Sequence, residues 1–259
     1  MRSPIKDVFR FAGSQYLLDI IPRGSLVNSL KLYSGAIELF LADNDRFVVG
    51  STTQYVIYEF WHCMIENPER VAQLAAFLKK TPIGTDMPIT YVVQEKWAEY
   101  KDPYIRAALF FLLNRFSSSG LVSAGNIDEG NFGNFNPKSI HRLKSFQAKN
   151  FFLNYKKDVD YIENTPEGLN VNYNMITAGQ FGYNFFEEGK SKTHEHIETD
   201  HQRIKDFLTE TPINTIALYE PHDGIKGFYK GLEVVSVNEN GKPTSEDASG
   251  VIVANFRIS

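Results

Sequence analysis

The stretch from Ser29 to Thr53 constrains the fold of this chain more than any other segment. An apolar run at 30–33 leads into Ser34-Gly35, a short apolar helix follows at 37–41, and a second apolar run occupies 47–49. This order of strand, glycine turn, helix and strand is typical of an open α/β sheet. Ligands of such sheets bind at the carboxyl ends of the strands, so the turn at Gly35 is the first candidate site.

The composition is that of an ordinary globular protein rather than a disordered one. The chain has 259 residues, of which 42% are hydrophobic and 22% are charged, enough for one large domain or for a core domain with an insert. The formal net charge of -4 argues against a protein that coats DNA by charge alone. The 27 lysine and arginine residues nevertheless leave room for a local basic face.

The sequence contains no signal for export or membrane insertion. The segment MRSPIKDVFRF lacks an apolar core of signal-peptide length. The longest apolar run, 107–113, is far shorter than the ~20 residues that a membrane span needs. The single cysteine, Cys63, excludes an intrachain disulfide and fits a reducing compartment. We therefore expect a cytoplasmic protein without a membrane partner, made in a bacterium or in a virus-infected cell.

Predicted helices and predicted strands alternate along the rest of the chain. Apolar residues at helical spacing predict helices at 15–21, 54–80 with a break at Asn67-Pro68, 92–100, 103–116, 140–149 and 196–209. Apolar runs and alternating patterns predict strands at 151–155, 169–176, 214–219, 232–237 and 250–258. Between them, 117–137 is rich in Gly, Asn and Ser and is predicted to be a long surface loop or a hairpin. This alternation predicts an α/β fold with a mostly parallel sheet and an antiparallel pair at the end.

Four parts of the chain carry a likeness to one enzyme family. The segment at 4–21, PIKDVFRFAGSQYLLDII, is similar to an aromatic-Ala-Gly-Gly-Lys loop with its helix, and 32–69 is similar to a cofactor strand, its turn, a second strand and a helix. The most specific match is 106–136, in which a Leu-Asn-Arg helix leads into a Gly-Asn-Phe-Asn loop. The segments at 194–208 and 228–237 are similar to a late helix and final strands. Together these segments cover most of the chain, and they resemble the Dam-type adenine-specific DNA methyltransferases.

The resemblance implies a fold, a cofactor and a partner. The fold would be Rossmann-like, of the S-adenosylmethionine-dependent methyltransferase type, with an α/β core at 1–54 and 166–259 and an inserted, largely helical, target-recognition-like segment at 55–165. The family moves a methyl group from S-adenosylmethionine to the exocyclic amine of adenine in double-stranded DNA. The positions that match its cofactor site are Phe11, Gly13, Tyr33 and Gly35.

The resemblance also indicates a DNA-contacting region. Asn114 and Arg115 end the Leu-Asn-Arg helix, and such side chains can bind base edges, while Lys138 and Arg142 can contact phosphates. Against this role, the loop at 117–137 contains no Lys or Arg and carries two acidic residues. A solvated or protein-contacting loop therefore stays open as an alternative.

Departures from the family pattern fall on the groups that bind the cofactor. The family's Gly-Gly-Lys is replaced by Gly13-Ser14-Gln15. At the cofactor turn, Lys31 stands in place of an acidic residue, and Ile37 stands in place of the second glycine, which lets the backbone approach a ligand. The acid that would bind the ribose hydroxyls falls at Gly50-Ser51. A core strand-turn-helix without a ligand is therefore the favoured interpretation of Ser29 to Thr53.

The catalytic signature of the family, Asp-Pro-Pro-Tyr, does not occur in the sequence. Flanking segments align its position with 172–177, where Asn174 is the residue kept at a degenerate catalytic position. The exocyclic amine of adenine is a poor nucleophile, so the Asp and a Pro carbonyl must accept its hydrogens while the aromatic ring stacks on the flipped base. Loss of one such group costs ~2.7–4 kcal/mol, and loss of several that act as a unit leaves little turnover.

We therefore predict a catalytically inactive relative, reused for DNA binding or for assembly with a homologous methyltransferase subunit or with itself. No cofactor is expected. Two alternatives stay open: an active adenine-specific DNA methyltransferase with an atypical site, which would bind S-adenosylmethionine, and a viral or phage structural or assembly protein without a nucleic-acid role. The cluster THEHIETDH at 193–201 lacks an established metal-ligand spacing. It is predicted to be a solvated helix start capped near Thr199 or Asp200, and no metal site is expected.

Overall fold

A seven-stranded sheet forms the centre of the molecule. The computed structural model describes residues 2–9, 11–80, 94, 96–122, 131, 133, 135–181 and 199–258. The strands are β1 (Leu26–Ser29), β2 (Phe47–Thr52), β3 (Phe151–Tyr155), β4 (Tyr173–Gly179), β5 (Asn214–Tyr219), β6 (Glu233–Val237) and β7 (Gly250–Ala254).

The strand order is β3-β2-β1-β4-β5-β7-β6. The first five strands in this order pair in parallel, while β7 runs antiparallel to both of its neighbours, β5 and β6. The order reverses between β1 and β4, so the connections leave this point in opposite directions and open a crevice at the carboxyl ends of these two strands. The molecule is thus a mixed α/β protein whose sheet is compatible with a Rossmann-like fold.

Helices cover both faces of the sheet. They are α1 (Ser14–Ile20), α2 (Ala36–Asp43), α3 (Tyr55–Glu66), α4 (Pro68–Lys80), α5 (Pro103–Phe116), α6 (Pro137–Lys144), α7 (His201–Glu210) and α8 (Gly224–Phe228), with single 3-10 turns at Trp97–Glu99 and Tyr161–Glu163. Among the described residues, no helix combines the length and the apolar character that a membrane crossing requires.

Each face of the sheet has its own hydrophobic core. Alternate residues of β5 point to opposite faces, so Ile216 belongs to the larger core, which packs α1 to α6, and Tyr219 belongs to the smaller core, which packs α7 and α8. Helix α5 is buried on nearly all sides, as its sequence predicts. It is held to α3 by an ion pair in which Arg106 Nε donates to Glu59 Oε1 at 2.7 Å. The helices that pack on the two faces therefore fix the position of the sheet and of the carboxyl ends of its strands.

Most of the predicted elements are confirmed. The helix at 15–21, the interrupted helix at 54–80, the helix at 103–116, the strands at 151–155 and 214–219, and the antiparallel final pair all occur. The break in the long helix falls at Asn67, and Pro68 starts α4, because proline is tolerated in the first turn, where its missing N–H has no partner to lose.

Several boundaries differ from the predictions for identifiable reasons. The strand predicted at 30–33 is wrong, because β1 ends at Ser29 and the apolar residues after it are buried in a turn. The strand predicted at 169–176 lies at 173–179. Helix α6 starts before the predicted residue 140, because Asn136 forms a capping box with Ser139.

Other predictions fall partly or wholly outside the described residues. This holds for about half of the loop at 117–137 and for the early part of the helix predicted at 92–100, of which the turn at Trp97–Glu99 is described. Strand β3 lies within the range predicted to be an inserted segment, 55–165, yet it pairs with β2 in the central sheet. Residues 151–155 therefore belong to the core and not to a separate helical insert.

Candidate functional site

Two adjoining cavities lie at the carboxyl ends of the central strands. The larger, of about 50 Å³, is lined by 7–9, Lys31, Tyr33, 177–180, Thr199 and Glu220. The smaller, of about 20 Å³, is lined by 30–33, 52–54 and Tyr161. Lys31 and Tyr33 contribute to both cavities. Both are far below the ~300–1,000 Å³ of typical ligand pockets, so the crevice is largely filled by the protein itself.

Phe11 and Gly13 lie in the core and not at the cavities. The Phe11 ring is buried, 6.4 Å from the Phe9 ring centroid to centroid. A Cβ atom on Gly13 would clash with Val237 Cγ2 and would lie 2.6 Å from Phe11 Cζ. Gly13 is thus required by packing against β6, and Phe11 packs there instead of presenting a face to a ligand.

Tyr33 and Gly35 form a turn that Trp61 holds in place. Gly35 has a φ of +67°, and a Cβ atom there would lie 2.6 Å from Trp61 Cζ2. The indole Nε1 of Trp61 donates to the carbonyl oxygen of Tyr33 at 2.8 Å. The Tyr33 hydroxyl donates to the carbonyl oxygen of Gly120 at 2.9 Å. The glycine that resembles a cofactor residue therefore makes room for a buried tryptophan.

A network of amides and hydroxyls closes the carboxyl end of β2. Ser51 Oγ donates to Asn28 Oδ1 at 2.6 Å and accepts a hydrogen bond from Asn154 Nδ2 at 3.0 Å. Asn164, in the connection from β3 to β4, donates to the carbonyl oxygen of Thr52 at 3.0 Å. Asn154 also donates to Asn164 Oδ1 at 2.9 Å. These hydrogen bonds hold the β3–β4 connection over the carboxyl end of β2, which is where the resembling methyltransferases bind the ribose.

Lys31 brings a cation to the centre of the crevice. Its Nζ donates to Thr199 Oγ1 at 2.9 Å and lies 5.9 Å from the centroid of the Tyr161 ring. Burial lowers the pKa of Lys31 to about 8. Burial, followed by the charge of Lys31, also lowers the pKa of His201. Lys31 is therefore a titrating group near neutral pH.

Two carboxyl groups, buried Glu38 and partly buried Asp7, interact with each other near this turn. Burial raises the pKa of Glu38 to about 7, and the charge of Asp7 adds to this rise. The Ser29 hydroxyl opposes it by donating to Glu38 Oε1 at 2.6 Å. Burial also raises the pKa of Asp7. Glu38 is at N3 of α2, and no motif in the sequence indicated that it would be buried.

Asn174 does not lie at the carboxyl end of a strand. It is the second residue of β4, in register with Asn28 and Thr215, and it is 1% exposed. Its Nδ2 donates to Thr215 Oγ1 at 3.4 Å. The catalytic position inferred at 172–177 thus falls on the body of β4, and its assignment stays a prediction.

The carboxyl end of β4 instead leads through Gly179 and Gln180 to Phe181, residues that were not singled out from the sequence. The Phe181 ring lies 4.8 Å from His201, 5.2 Å from His222 and 5.3 Å from Phe228, centroid to centroid. The apolar pair Met175-Ile176, followed shortly by Gly179, is the signal that could have placed this end.

Asn114 is a structural residue of the N-terminal region. It is 0% exposed, and its Oδ1 accepts from the backbone N–H of Lys6 at 2.6 Å, while Nδ2 donates to the carbonyl oxygens of Gly120 at 2.6 Å and of Lys6 at 3.2 Å. Asn114 therefore cannot contact DNA in this structure. Burial lowers the pKa of the neighbouring Arg115, and the charge of Arg142 lowers it further.

Helix α6 presents cations to the outside. Its Leu143 is buried in the larger core, while Lys138, His141 and Arg142 are exposed. These three residues are spaced i, i+3 and i+4, so they share one side of the helix, called the α6 basic face from here on. Lys144, on another side, is 3.8 Å from Glu69 Oε1. Two of the predicted DNA-binding residues, Lys138 and Arg142, are thus brought together.

The described part of the chain contains no group of three or more His, Cys, Asp or Glu residues that could hold a metal ion. Residues 182–198 lie outside the described residues, and with them most of the histidine-rich cluster. Its end is described: Asp200 caps α7 by accepting a hydrogen bond from the backbone N–H of Arg203 at 2.9 Å. The predicted helix start near Asp200 is confirmed.

No family model matches this chain, and a search of curated proteins likewise finds no match.

We expect Gly35→Ala to destabilise the protein more than Gly168→Ala. Both glycines have left-handed φ angles, +67° and +72°, so each alanine adds backbone strain of about 1–3 kcal/mol. At Gly35 the new Cβ would also meet Trp61, whereas at Gly168 nothing lies within 4 Å. Urea unfolding measures the loss of unfolding free energy in each variant. Equal losses in the two variants would show that Trp61 does not constrain the turn.

We expect Glu38→Gln to remove a pH dependence of stability. The folded pKa of Glu38, about 7, lies above its usual 4.5, so the carboxyl group contributes stability below about pH 4.5 that is lost as the pH rises through about 7. As the pH rises across this interval, the free energy of unfolding of the variant should therefore increase relative to that of the wild type, by up to about 3 kcal/mol. Chemical unfolding at several pH values tests this, with Glu239→Gln in an exposed turn as the control. A pH-independent difference would contradict the assignment.

Proposed function

We propose that this protein has a methyltransferase-type fold without methyl-transfer activity, and that it binds double-stranded DNA through the α6 basic face. The observation that supports the loss of activity is that the chain's own side chains pack against the turn and the strand end that resemble the family's cofactor site. Trp61 fills the space beside Gly35, and Asn164 closes the end of β2.

The topology supports this type of fold. An order of β3-β2-β1-β4-β5 with a crevice between β1 and β4 is that of doubly wound nucleotide-binding sheets. The antiparallel β7 lies between β5 and β6 at one end of the sheet. The strand order is compatible with the Rossmann-like fold that the sequence resemblance implies.

The absence of methyl transfer is supported at the carboxyl end of β4. A catalytic signature would follow this strand, and the residues there are Ala178, Gly179, Gln180 and Phe181. Ala178 and Gly179 have no side-chain acceptor, and Gln180, which lines the larger cavity, offers a neutral amide oxygen in place of a carboxylate. Phe181 supplies an aromatic ring, but a ring alone does not activate the amine.

We expect no saturable binding of S-adenosylmethionine. A ligand with a Kd of about 10 µM would raise the free energy of unfolding by about 2.7 kcal/mol when present at about 1 mM. Thermal unfolding at that concentration should therefore show no shift, and calorimetry should show no heat beyond dilution. Micromolar binding would instead support the alternative of an active enzyme.

The distribution of charge supports the proposal that the protein binds DNA. The net charge of the chain is -4, so attraction to DNA must come from a local group of cations. Lys138 and Arg142 are exposed on a helix whose buried side anchors it to the larger core. The charge of Arg142 also acts on Arg115, which places a third cation near this surface. Contacts of this kind neutralise phosphates and do not by themselves select a sequence.

We expect the double variant Lys138→Ala/Arg142→Ala to weaken DNA binding and its salt dependence. Each lost phosphate contact reduces the slope of log K against log salt by about 0.9, so two contacts reduce it by about 1.8. Gel shifts or fluorescence anisotropy at several salt concentrations measure the slope.

The matched control is Lys226→Ala/Lys230→Ala, which removes the same charge from exposed residues on the opposite side of the sheet, where α8 packs. If both double variants weaken binding equally, the α6 basic face is not the DNA site.

A further inference from the structure

Strand β3 is one edge of the sheet and pairs with β2 alone. Just past its end, the N–H of Lys156 donates to the carbonyl oxygen of Thr52 in β2 at 3.4 Å. Backbone groups of alternate residues point to the same side of a parallel pair, so those of Phe151, Leu153 and Tyr155 point away from the sheet. In the described part of the chain, no other strand binds these groups. The outer side of β3 is therefore open to a further strand.

The sequence of β3 has none of the features that usually protect an exposed edge. The strand reads FFLNY and contains neither a charged residue nor a proline. Its Phe152 side chain is 52% exposed. The opposite edge, β6, differs because the chain returns along it, where the N–H of Thr244 donates to the carbonyl oxygen of Ser236 at 2.9 Å. Of the two edges, β3 is the one that is available for pairing.

Aromatic side chains flank the β3 edge on both faces of the sheet. Phe151 belongs to the larger core, so Phe152 lies on the other face. On the face of the larger core, the Tyr155 ring lies 5.2 Å from Tyr58 and 5.7 Å from Tyr55 in α3, centroid to centroid. Tyr55 is itself 51% exposed. A strand that pairs with β3 would therefore meet aromatic surface on both of its sides.

The charges beside β3 favour an antiparallel strand from a second copy of this chain. The segment before β3, 137–150, carries four Lys and Arg residues and no carboxylate. The segment after it, 156–170, carries two lysines and four carboxylates, and two of these carboxylates bind Arg203. In an antiparallel pair of identical strands, the first segment of each copy lies beside the second segment of the other. A basic side thus meets a side without excess positive charge, whereas parallel pairing would bring two basic segments together.

Phe152 defines the register of such a pair. Its own backbone groups face β2, so it can lie opposite its copy only as a non-hydrogen-bonded pair, in which side chains approach most closely. In this register Lys149 falls opposite Tyr155 of the second copy, and an aromatic ring attracts a cation. The register centred on the next residue would instead place Lys149 opposite Lys157, and like charges directly opposite each other are unfavourable.

We propose that this protein forms a twofold-symmetric dimer in which the β3 strands of two copies pair antiparallel, with Phe152 opposite Phe152 of the second copy. Backbone hydrogen bonds between Phe151 of each copy and Leu153 of the other join the two sheets into one. Pairing uses the open edge of both copies, and the chain covers β6, so association stops at two. The contact does not use the α6 basic face and needs no DNA.

A contact of one strand pair and its flanking rings is at the small end of specific interfaces, below ~1,200 Å², so the dimer should dissociate on dilution. Sedimentation velocity of the full chain over a concentration series, without DNA, should show a monomer–dimer equilibrium and no larger species. Lys138→Ala/Arg142→Ala should dimerise as the wild type does. Loss of the dimer in this variant would place the contact on α6 and overturn the proposal.

Phe152→Lys places two like charges directly opposite each other. Because each substitution counts twice in a twofold interface, dimerisation should weaken by at least about tenfold. The matched control is Phe77→Lys, at a side chain of α4 that is 65% exposed, and it should leave the dimer unchanged.

Leu153→Pro removes an N–H that points away from the sheet. The hydrogen bonds to β2 use the backbone groups of the residues on either side, so the variant should keep its place in the sheet. Dimerisation should weaken by about tenfold, since one hydrogen bond is lost from each copy. Circular dichroism establishes whether the variant is folded, and Phe152→Lys decides the question if it is not.

Oxidation of Phe152→Cys tests the register. The Cα atoms of a non-hydrogen-bonded antiparallel pair are about 4.5 Å apart, within the range of a disulfide. With oxidised glutathione the variant should form a disulfide-linked dimer, whereas Phe77→Cys should not. The native Cys63 is buried and should not react.

The proposal is overturned if the chain stays monomeric at every concentration, or if Phe152→Lys and Leu153→Pro both dimerise as the wild type does. Equal crosslinking of Phe152→Cys and Phe77→Cys would also overturn it. A chain that stays monomeric but binds an added peptide with the sequence of 150–156 would assign this edge to a strand from another protein, which again contradicts the dimer.

Discussion

The hydrogen bonds among Asn28, Ser51, Asn154 and Asn164 are the constraint on which the candidate site depends. They join the carboxyl ends of β1, β2 and β3 to the connection that leads into β4. Buried amides are costly unless they are paired, so each member of this network holds the others in position. As a result, the connection lies across the end of β2, and the crevice is reduced to two small cavities. The same interactions stabilise the fold and fix the lining of these cavities.

Trp61 imposes a second constraint from the opposite side of the turn. Its ring lies against Gly35, and its Nε1 donates to the carbonyl oxygen of Tyr33, so α3 and the β1–α2 turn cannot move independently. The ring also packs 5.6 Å from Phe151, which connects the turn to the edge strand. Lys31 and Tyr161 line the smaller of the two cavities at this turn.

Local patterns predicted most elements of the fold but few of the contacts at the site. Helices and strands with a strong apolar period, such as α5 and β5, were predicted within a residue or two, because burial on defined faces leaves a periodic signal. The turn at 30–33 was mistaken for a strand, because buried loop residues are as apolar as strand residues. The sequence did not show that Asn174 lies near the start of β4, because strand register depends on pairing with neighbours and not on the strand's own sequence.

The sequence by itself determined the α/β class, the glycine turn, the absence of an Asp-Pro-Pro-Tyr signature and the cations of α6. These properties are local, since each depends on residue type and short-range spacing. Only the tertiary structure decided that Asn114 is buried against Lys6, that Glu38 lies beside Asp7, and that Asn164 closes the end of β2. Each of these contacts joins residues that are distant in sequence, so it follows from the packing of several elements at once.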